Sequence, residues 1–490
     1  MLDLLFSRLM RIGDVQRQSI VTFVWQIAYT AIGFLSTMYF AHAVGAEVLG
    51  AYFLFLAYLG IFSLAADGGL GGAAVKRISE GEEPDAYFST FFVLRSVLVI
   101  ATVLLLIVFR DYFVDLNMSR VFTWLLLALA VSIFHGAIAY GVAGSGKMGI
   151  FTTCVFIDNV SRVAVQVSAT ILGYGVGGLA GGVVAGLLIS ALIEVRFFDL
   201  HPVRFGWKHI KSLTSFSFWL FLTSSGYMVF TYADTVMIGY FMENADVGVY
   251  RVVLQLTLAA TFTTHAMLQT LWPKVSRWGK TKETGLIETS LSRAITYSLL
   301  LAVPVLAGGI LLGDRLLYFF YGAQFERGYT ALVLLLFVQV VNVFQHFFTS
   351  YLSALDRQKE AFRVTAIAAS ANIAMNIVLI PLAGIAGAAV ATLATMVLNA
   401  ALAGSALSGL IKIRVESGSL FNIFSASLVM SLLILGYRML VPLSNIWLTL
   451  VPVVLGAAVF IGLLMRLDSR IRNELREIAG SIYLPSKYWM

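Results

Sequence analysis

Apolar stretches long enough to cross a bilayer, about 20 residues each, follow one another along almost the whole chain. Fourteen can be marked between residues 19 and 466, many joined by only a few residues. That pattern fixes the solvent. No water-soluble fold can hide so much apolar surface, and with 59% apolar and 12% charged residues the chain must place most of itself in lipid. A β-barrel is excluded, because its strands would read as short alternating segments. The expected fold is an all-α polytopic membrane protein.

Orientation follows from charge. With the N-terminus inside and strict alternation, 24 of the 33 Lys and Arg fall in inside segments and six outside. The positive-inside rule therefore predicts cytoplasmic N- and C-termini in a cell membrane. The net charge of +7 is a product of that bias and carries no nucleic-acid signal. Residues 1–18 read as a cytoplasmic amphipathic segment, because Asp3, Arg8, Arg11 and Asp14 interrupt what would otherwise resemble a leader. Cys154 is the single cysteine, so a disulfide within the chain and a cysteine-based metal site are both excluded.

An internal repeat divides the chain. Gly50 and Tyr52 superpose on Gly248 and Tyr250 at an offset of 198, and the same offset carries Arg95 onto Arg293 and Asp67 onto His265. Further on, Tyr140–Phe151 resembles Tyr351–Phe362, and Gly178–Gly181 echoes Gly384–Gly387. The expected organisation is a six-helix lobe at 19–198, a cytoplasmic linker at 199–214 and a second six-helix lobe at 215–411. Two extra helices at 412–466 and a cytoplasmic tail at 467–490 complete it. Repeats of this kind mark transporters whose two bundles rock about a central site.

Four local patterns in this order carry a family resemblance. They are Gly50-Ala-Tyr52, Asp67-Gly-Gly-Leu-Gly71 followed by Lys76-Arg77, Asp234-Thr-Val-Met-Ile-Gly239, and Ala354-Leu-Asp-Arg-Gln-Lys359. With them the chain resembles the polysaccharide (O-antigen type) flippases of the MATE-like multidrug/oligosaccharidyl-lipid/polysaccharide exporter superfamily. The resemblance implies a transporter that moves a polyprenyl- or dolichyl-linked oligosaccharide between leaflets by alternating access. The lipid tail would lie in a groove of helices 13 and 14, and glycan polymerases and glycosyltransferases of one pathway would be partners. It implies no cofactor; a cation gradient or the membrane potential is the candidate energy source. The competing readings are a cation-coupled multidrug exporter and a polytopic glycan polymerase or glycosyltransferase. The first usually has twelve spans and acidic cavity residues. The second needs a large outer loop or an aspartate cluster.

Motifs that suggest other chemistry lack their context. Gly173–Gly178 fits G-x-G-x-x-G without a preceding strand, and Gly141–Lys147 nearly fits a P-loop but ends at Met148. Asn117-Met-Ser119 is a glycosylation sequon in an outside loop. The six histidines are scattered and suggest no metal site, and no catalytic constellation is expected.

The informative residues are polar groups at membrane depth, where one charge costs about 2.5–3.5 kcal/mol on insertion scales. Arg95, Arg162, Arg293 and Asp158 are the cavity candidates, because an arginine fork matches the phosphate of a lipid-linked sugar. Snorkelling is the alternative for Arg95 and Arg293. An intrahelical Asp158–Arg162 salt bridge is the alternative for that pair. Asp67, Asp234, His265 and His346 are candidates for coupling or gating. Tyr232, Gln339, Asn342 and His346 are candidates for lining the second lobe, with hydrogen bonding in the core as the alternative.

Overall fold

A computed structural model of the chain describes the backbone of residues 14–113, 116, 121–469 and 472, without the side chains of 14–27, 219, 223, 224, 227 and 229. Most of the 1–18 segment, the sequon at 117–119 and most of the tail lie outside the described residues.

The described chain is helical, and its helices carry the apolar stretches. The run Asp14–Asp67 breaks at Gly45 (φ 77°, ψ 178°) into α1 (14–44) and α2 (46–67), and α2 resumes as Leu70–Ser79. Then come α3 (Pro84–Val108), α4 (Phe122–Gly144), α5 (Met148–Ile171), α6 (Gly175–Glu194) and α7 (Trp207–Phe241). Helix α8 (Asn244–Thr257) passes through a 3-10 turn, Leu258–Thr261, and continues as Phe262–Thr281. Next are α9 (Thr284–Tyr321) and α10 (Tyr329–Ala354). The run Gln358–Ser408 breaks at Gly384 (φ 60°, ψ −141°) into α11 (358–383) and α12 (385–408). Helices α13 (Ser417–Leu440) and α14 (Ile446–Leu467) close the chain. This is the expected fourteen-helix membrane protein. At Gly45 and Gly384 one span runs into the next through a single residue, in a backbone region open essentially to glycine alone.

Short connections are closed by one recurrent turn. After α4, Lys147 N donates to Val142 O (3.2 Å) and Gly146 N to Ala143 O (3.1 Å). After α10, Arg357 N donates to Leu352 O (2.9 Å) and Asp356 N to Ser353 O (3.3 Å). Both are Schellman caps, with Gly146 and Asp356 at positive φ. Gly173 closes α5 in the same way, so the G-x-G-x-x-G stretch is a helix cap followed by close packing of Gly178 on Ala169.

The chain divides into two compact units, one ending at Arg251 and the other starting at Val252. In the first unit, α2 and the start of α8 touch through backbone. A Cβ on Gly50 would lie 1.7 Å from Asn244 O, and one on Gly248 would lie 2.2 Å from Ala46 O. The contact is reciprocal: each glycine meets the residue four before its counterpart, at the offset of 198. Two small residues let the backbones approach to a distance that any side chain would forbid.

The stretch 199–206 and the start of α7 are strapped to α3 and to the turn before α5. His201 N donates to Asp85 Oδ1 (2.9 Å) and Val203 N to Ser89 Oγ (2.8 Å), while Lys147 pairs with Asp199. Glu83 takes both Lys208 and His209 Nε2 (2.9 Å). His209 Nδ1 accepts from Gly206 N (3.0 Å), so Nε2 carries the proton it gives to Glu83. The two donors hold the Glu83 carboxyl below its usual range.

In the second unit α13 and α14 pack on α9. Arg438 grips Asp314 with two bonds (3.1 and 2.7 Å) and also donates to Leu311 O. Leu291, Leu299, Phe347, Tyr351, Ala403 and Ile423 belong to its core.

Two outcomes follow. Gly50→Ala or Gly248→Ala should destabilise the protein by about 1–3 kcal/mol, the range for overpacking. Gly33→Ala, with nothing within 4 Å of the new methyl, should be neutral or slightly stabilising. Thermal unfolding in detergent compares the three. The Glu83 strap should be fully present above the ordinary carboxylate range and loosen as pH falls through the lowered value. Hydrogen exchange at the amides of Gly206 and Val203, corrected for intrinsic rate, should then speed up. Glu83→Gln should reproduce that state at neutral pH.

Candidate substrate-handling site in the helix hairpins

The polar groups at membrane depth do not converge on one point. Several are handled within single hairpins. Asp67 stands where α2 breaks, and its Oδ2 accepts from Gly71 N (3.2 Å), capping the second segment. Its Oδ1 takes Arg95 Nη1, while Nη2 donates to Ser132 O (3.3 Å). The guanidinium lies over the rings of Phe91 and Tyr140, 5.8 and 5.5 Å from their centroids. Gly136 makes room, since a Cβ there would be 2.5 Å from Arg95 Cζ. Arg95 is 7% exposed. It is paired and buried, and it does not snorkel.

Arg293 is not its structural counterpart. Counted from their first hydrogen bonds, α3 and α9 match at an offset of 200: Ala86 and Tyr87 N donate to Glu83 O as Leu286 and Ile287 N donate to Glu283 O. Arg95 therefore corresponds to Ile295, and both are buried. Arg293 corresponds to Val93, and both are exposed. Two residues turn a helix by about 200°, so an offset of 198 puts the arginines on opposite faces.

In the α5–α6 hairpin, Asp158, Arg162 and Gln166 step along α5 four residues apart and face Gly182, Gly186 and Ser190 on α6. A Cβ on Gly186 would lie 2.5 Å from Asp158 Oδ1 and 3.0 Å from Arg162 Cβ; one on Gly182 would lie 2.3 Å from Gln166 Cγ. Gln166 Nε2 donates to Tyr52 Oη (2.9 Å) and Leu179 O (2.7 Å), and Ser190 Oγ donates to Cys154 O (3.2 Å). Among the described residues no ion pair joins Asp158 to Arg162, so the expected intrahelical salt bridge is absent. The carboxylate is turned onto Gly186 instead. Asp158 Oδ1 and Arg162 Nε are buried without a hydrogen-bond partner. Two residues that escaped notice in the sequence share this hairpin. Glu194 is 1% exposed with Oε2 unpartnered, and Asn159 is 1% exposed with both amide atoms unpartnered.

The α11–α12 hairpin repeats this ladder without charge. The Schellman turns set an offset of 210 on α5 and α11, one residue less than the Tyr140–Tyr351 match suggests. The close glycines Gly178 and Gly387 set 209 on α6 and α12. Arg162 and Gln166 then correspond to Asn372 and Asn376, and Gly186 and Ser190 to Thr395 and Asn399. Asn372 Nδ2 donates to Thr395 Oγ1 (3.4 Å), Asn376 Nδ2 donates to Asn372 Oδ1 (3.1 Å), and both amide atoms of Asn399 are unpartnered.

Asp234 accepts from the Tyr250 hydroxyl (2.6 Å), and Arg251 lies over Phe53 and Tyr232 (5.7 Å each) while donating to Thr231 O (3.3 Å). In the second unit Gln339 Nε2 donates to Thr257 Oγ1 (3.1 Å) and Asn342 Nδ2 donates to Gln339 Oε1 (3.2 Å). His265 and His346, 81 positions apart in sequence, meet with ring centroids 5.1 Å apart. The histidines are thus not all scattered. Among the described residues no group of three or more His, Cys, Asp or Glu could hold a metal.

Residues 44–330, more than half of the chain, match the family described as polysaccharide biosynthesis protein. The chain belongs to this family. Over 447 residues it is 26% identical to a probable low-salt glycan biosynthesis flippase, Agl15, of Haloferax volcanii, covering 91% of this chain and 95% of that protein. It is 25% identical over 474 residues to a probable flippase, AglR, of the same organism, covering 95% and 98%. Its fold is that of the lipid II flippase MurJ in an inward closed conformation (TM-score 0.76, 17% identity, 91% of this chain and 98% of that one). An inward-facing multidrug resistance MATE transporter shares it less closely (TM-score 0.62, 14% identity, 80% and 98%). This polysaccharide biosynthesis protein is thus a multi-pass membrane protein with a MATE-like fold.

The buried Arg95–Asp67 pair predicts a stability defect. Arg95→Ala leaves the part-buried Asp67 carboxylate with the Gly71 amide but no cation, and should cost up to about 3–5 kcal/mol. The double change Arg95→Met, Asp67→Asn should cost less than the sum of its parts. A double-mutant cycle of thermal unfolding in detergent measures the coupling; additive losses would show that the pair does not interact.

Proposed function

We propose that the protein is a flippase that carries a polyprenyl- or dolichyl-phosphate-linked oligosaccharide across the cytoplasmic membrane for surface polysaccharide or glycoprotein glycan assembly. The observation that carries this reading is Arg162. It stands at membrane depth beside Asp158, bonded to Tyr29 and in no ion pair among the described residues, whereas Arg95 is occupied by Asp67. An arginine kept in lipid without a fixed carboxylate partner is expensive unless a ligand or water receives it. A lipid-linked phosphate is such a ligand, and the guanidinium fork fits its oxygens. The family and the flippase relatives support the same choice.

On this reading, two six-helix lobes alternate access to a site for the sugar–phosphate head. The tail follows a groove of α13 and α14, and both termini lie in the cytoplasm. Glycosyltransferases supply the lipid-linked substrate, and polymerases or transferases on the far side consume it. A cation gradient or the membrane potential drives the cycle.

The test is outer-leaflet appearance of lipid-linked glycan in cells, normalised to folded protein. Arg162→Ala should lower the rate about tenfold or more, which corresponds to about 1.5–3 kcal/mol for a charge-assisted hydrogen bond. Lysine should rescue only in part, because it keeps charge and loses the fork. A wild-type rate per folded molecule in Arg162→Ala would remove the phosphate assignment. Loss of resistance to cationic dyes with unchanged glycan export would favour a drug exporter.

A further inference from the structure

His265 and His346 form a contact pair on one polar face of the second unit. His265 is exposed, and beside it α8 exposes Gln269 and Thr270 together with Phe262 and Ala266. On α10 the pair is flanked by Gln345, which donates to Thr349 Oγ1 (3.0 Å), and by Asn342. Neither ring makes a hydrogen bond to a described residue. The elements packed on the Phe262–Thr281 part of α8 and on α10 include the turn Leu258–Thr261, α9, the turn Ala323–Gly328, α11 and α12, the last without a charged side chain. Their charged side chains include Glu288, Arg293, Asp314 and Arg315 on α9, Glu326 and Arg327 in the second turn, and Lys359, Glu360 and Arg363 on α11. Among the described residues no ion pair joins any of these to either imidazole.

We propose that His265 and His346 hold one exchangeable proton between them, and that the cation so formed receives an anionic phosphate group at this face. Imidazole is the side chain that gains charge near neutral pH. Two rings in contact accept the first proton and resist the second, because like charges repel, so the pair titrates as a unit. With no carboxylate in contact, the charge is not spent on the protein and is available to an anion. The proton is thereby linked to phosphate binding, and each strengthens the other by the same factor. The phosphate as a natural ligand rests on the flippase reading; the shared proton does not.

Two readouts on the full chain in nanodiscs test this. In protein labelled with nitrogen-15 histidine, the two rings should titrate in steps more than about one pH unit apart. His265→Gln or His346→Gln should leave the other ring with a single step at higher pH than the second step of the pair. Identical titration of each ring with and without its neighbour would overturn the shared proton. The second readout is binding of a short-chain prenyl phosphodiester, whose charge is constant near neutral pH. Its Kd should weaken about tenfold per pH unit above the first step, the slope for one linked proton; each single Gln variant should keep the slope above its own step, and the double variant His265→Gln, His346→Gln should lose it. A wild-type slope in the double variant would overturn the anion site. If the slope behaves as expected but cells show no glycan translocation, the flippase reading fails while the proton-linked site stands.

Discussion

Lipid offers no hydrogen bonds, and this scarcity organises the whole molecule. A polar group at membrane depth must find its partner within a few residues' reach or on a helix packed directly against its own. The helix hairpin is the unit that supplies such partners, because residues equidistant from the turn face each other. Asp67 and Arg95 lie equally far from Gly81, which has φ 78°. Gln166 and Gly182 are equidistant from Tyr174, as are Arg162 and Gly186, and Asn372 and Thr395 straddle Gly384. The polar contacts are mirror images about turns, each closed by glycine at positive φ.

That geometry explains what could be read from residues alone. The fourteen spans were legible because apolar runs of bilayer length have one economical structure. The turns were legible where Gly or Asp allows the left-handed conformation. The Arg95–Asp67 pair was within reach, since folding the α2–α3 hairpin about Gly81 sets them opposite. Treating each charge as an isolated insertion cost hid it. Glu194 was missed because it ends an apolar run and looks like an interfacial residue; only its burial against α5 shows otherwise. The histidine pair was beyond pattern reading, because α9 intervenes in sequence between helices that touch.

The repeat was visible, but its register was not. Identical residues suggested an offset of 198 at Arg95 and Arg293, where the first hydrogen bonds of the two helices set 200. Near α5 and α11 the caps set 210. Amino-acid identity is a poor guide on a helix, since a slip of two residues reverses the face while leaving hydropathy unchanged. Backbone devices keep register better. Gly146 and Asp356 share no side chain, yet both occupy the left-handed position of the same cap.

With the register corrected, the two hairpins differ in charge at matched backbone positions. On α5 and α6 stand Asp158, Arg162 and Glu194; on α11 and α12 the same places hold Ala368, Asn372 and Ala403. A neutral amide ladder can satisfy itself, as Asn372 does with Thr395 and Asn376. The charged ladder faces two glycines, which offer no side-chain donor, and Arg162 turns to Tyr29 instead. Gly182 and Gly186 bring α6 close and leave Asp158 and Arg162 without a fixed partner on that side. The charged version is retained against an insertion cost of a few kcal/mol per group, which marks the α5–α6 hairpin as the one whose polarity serves something other than holding the fold together.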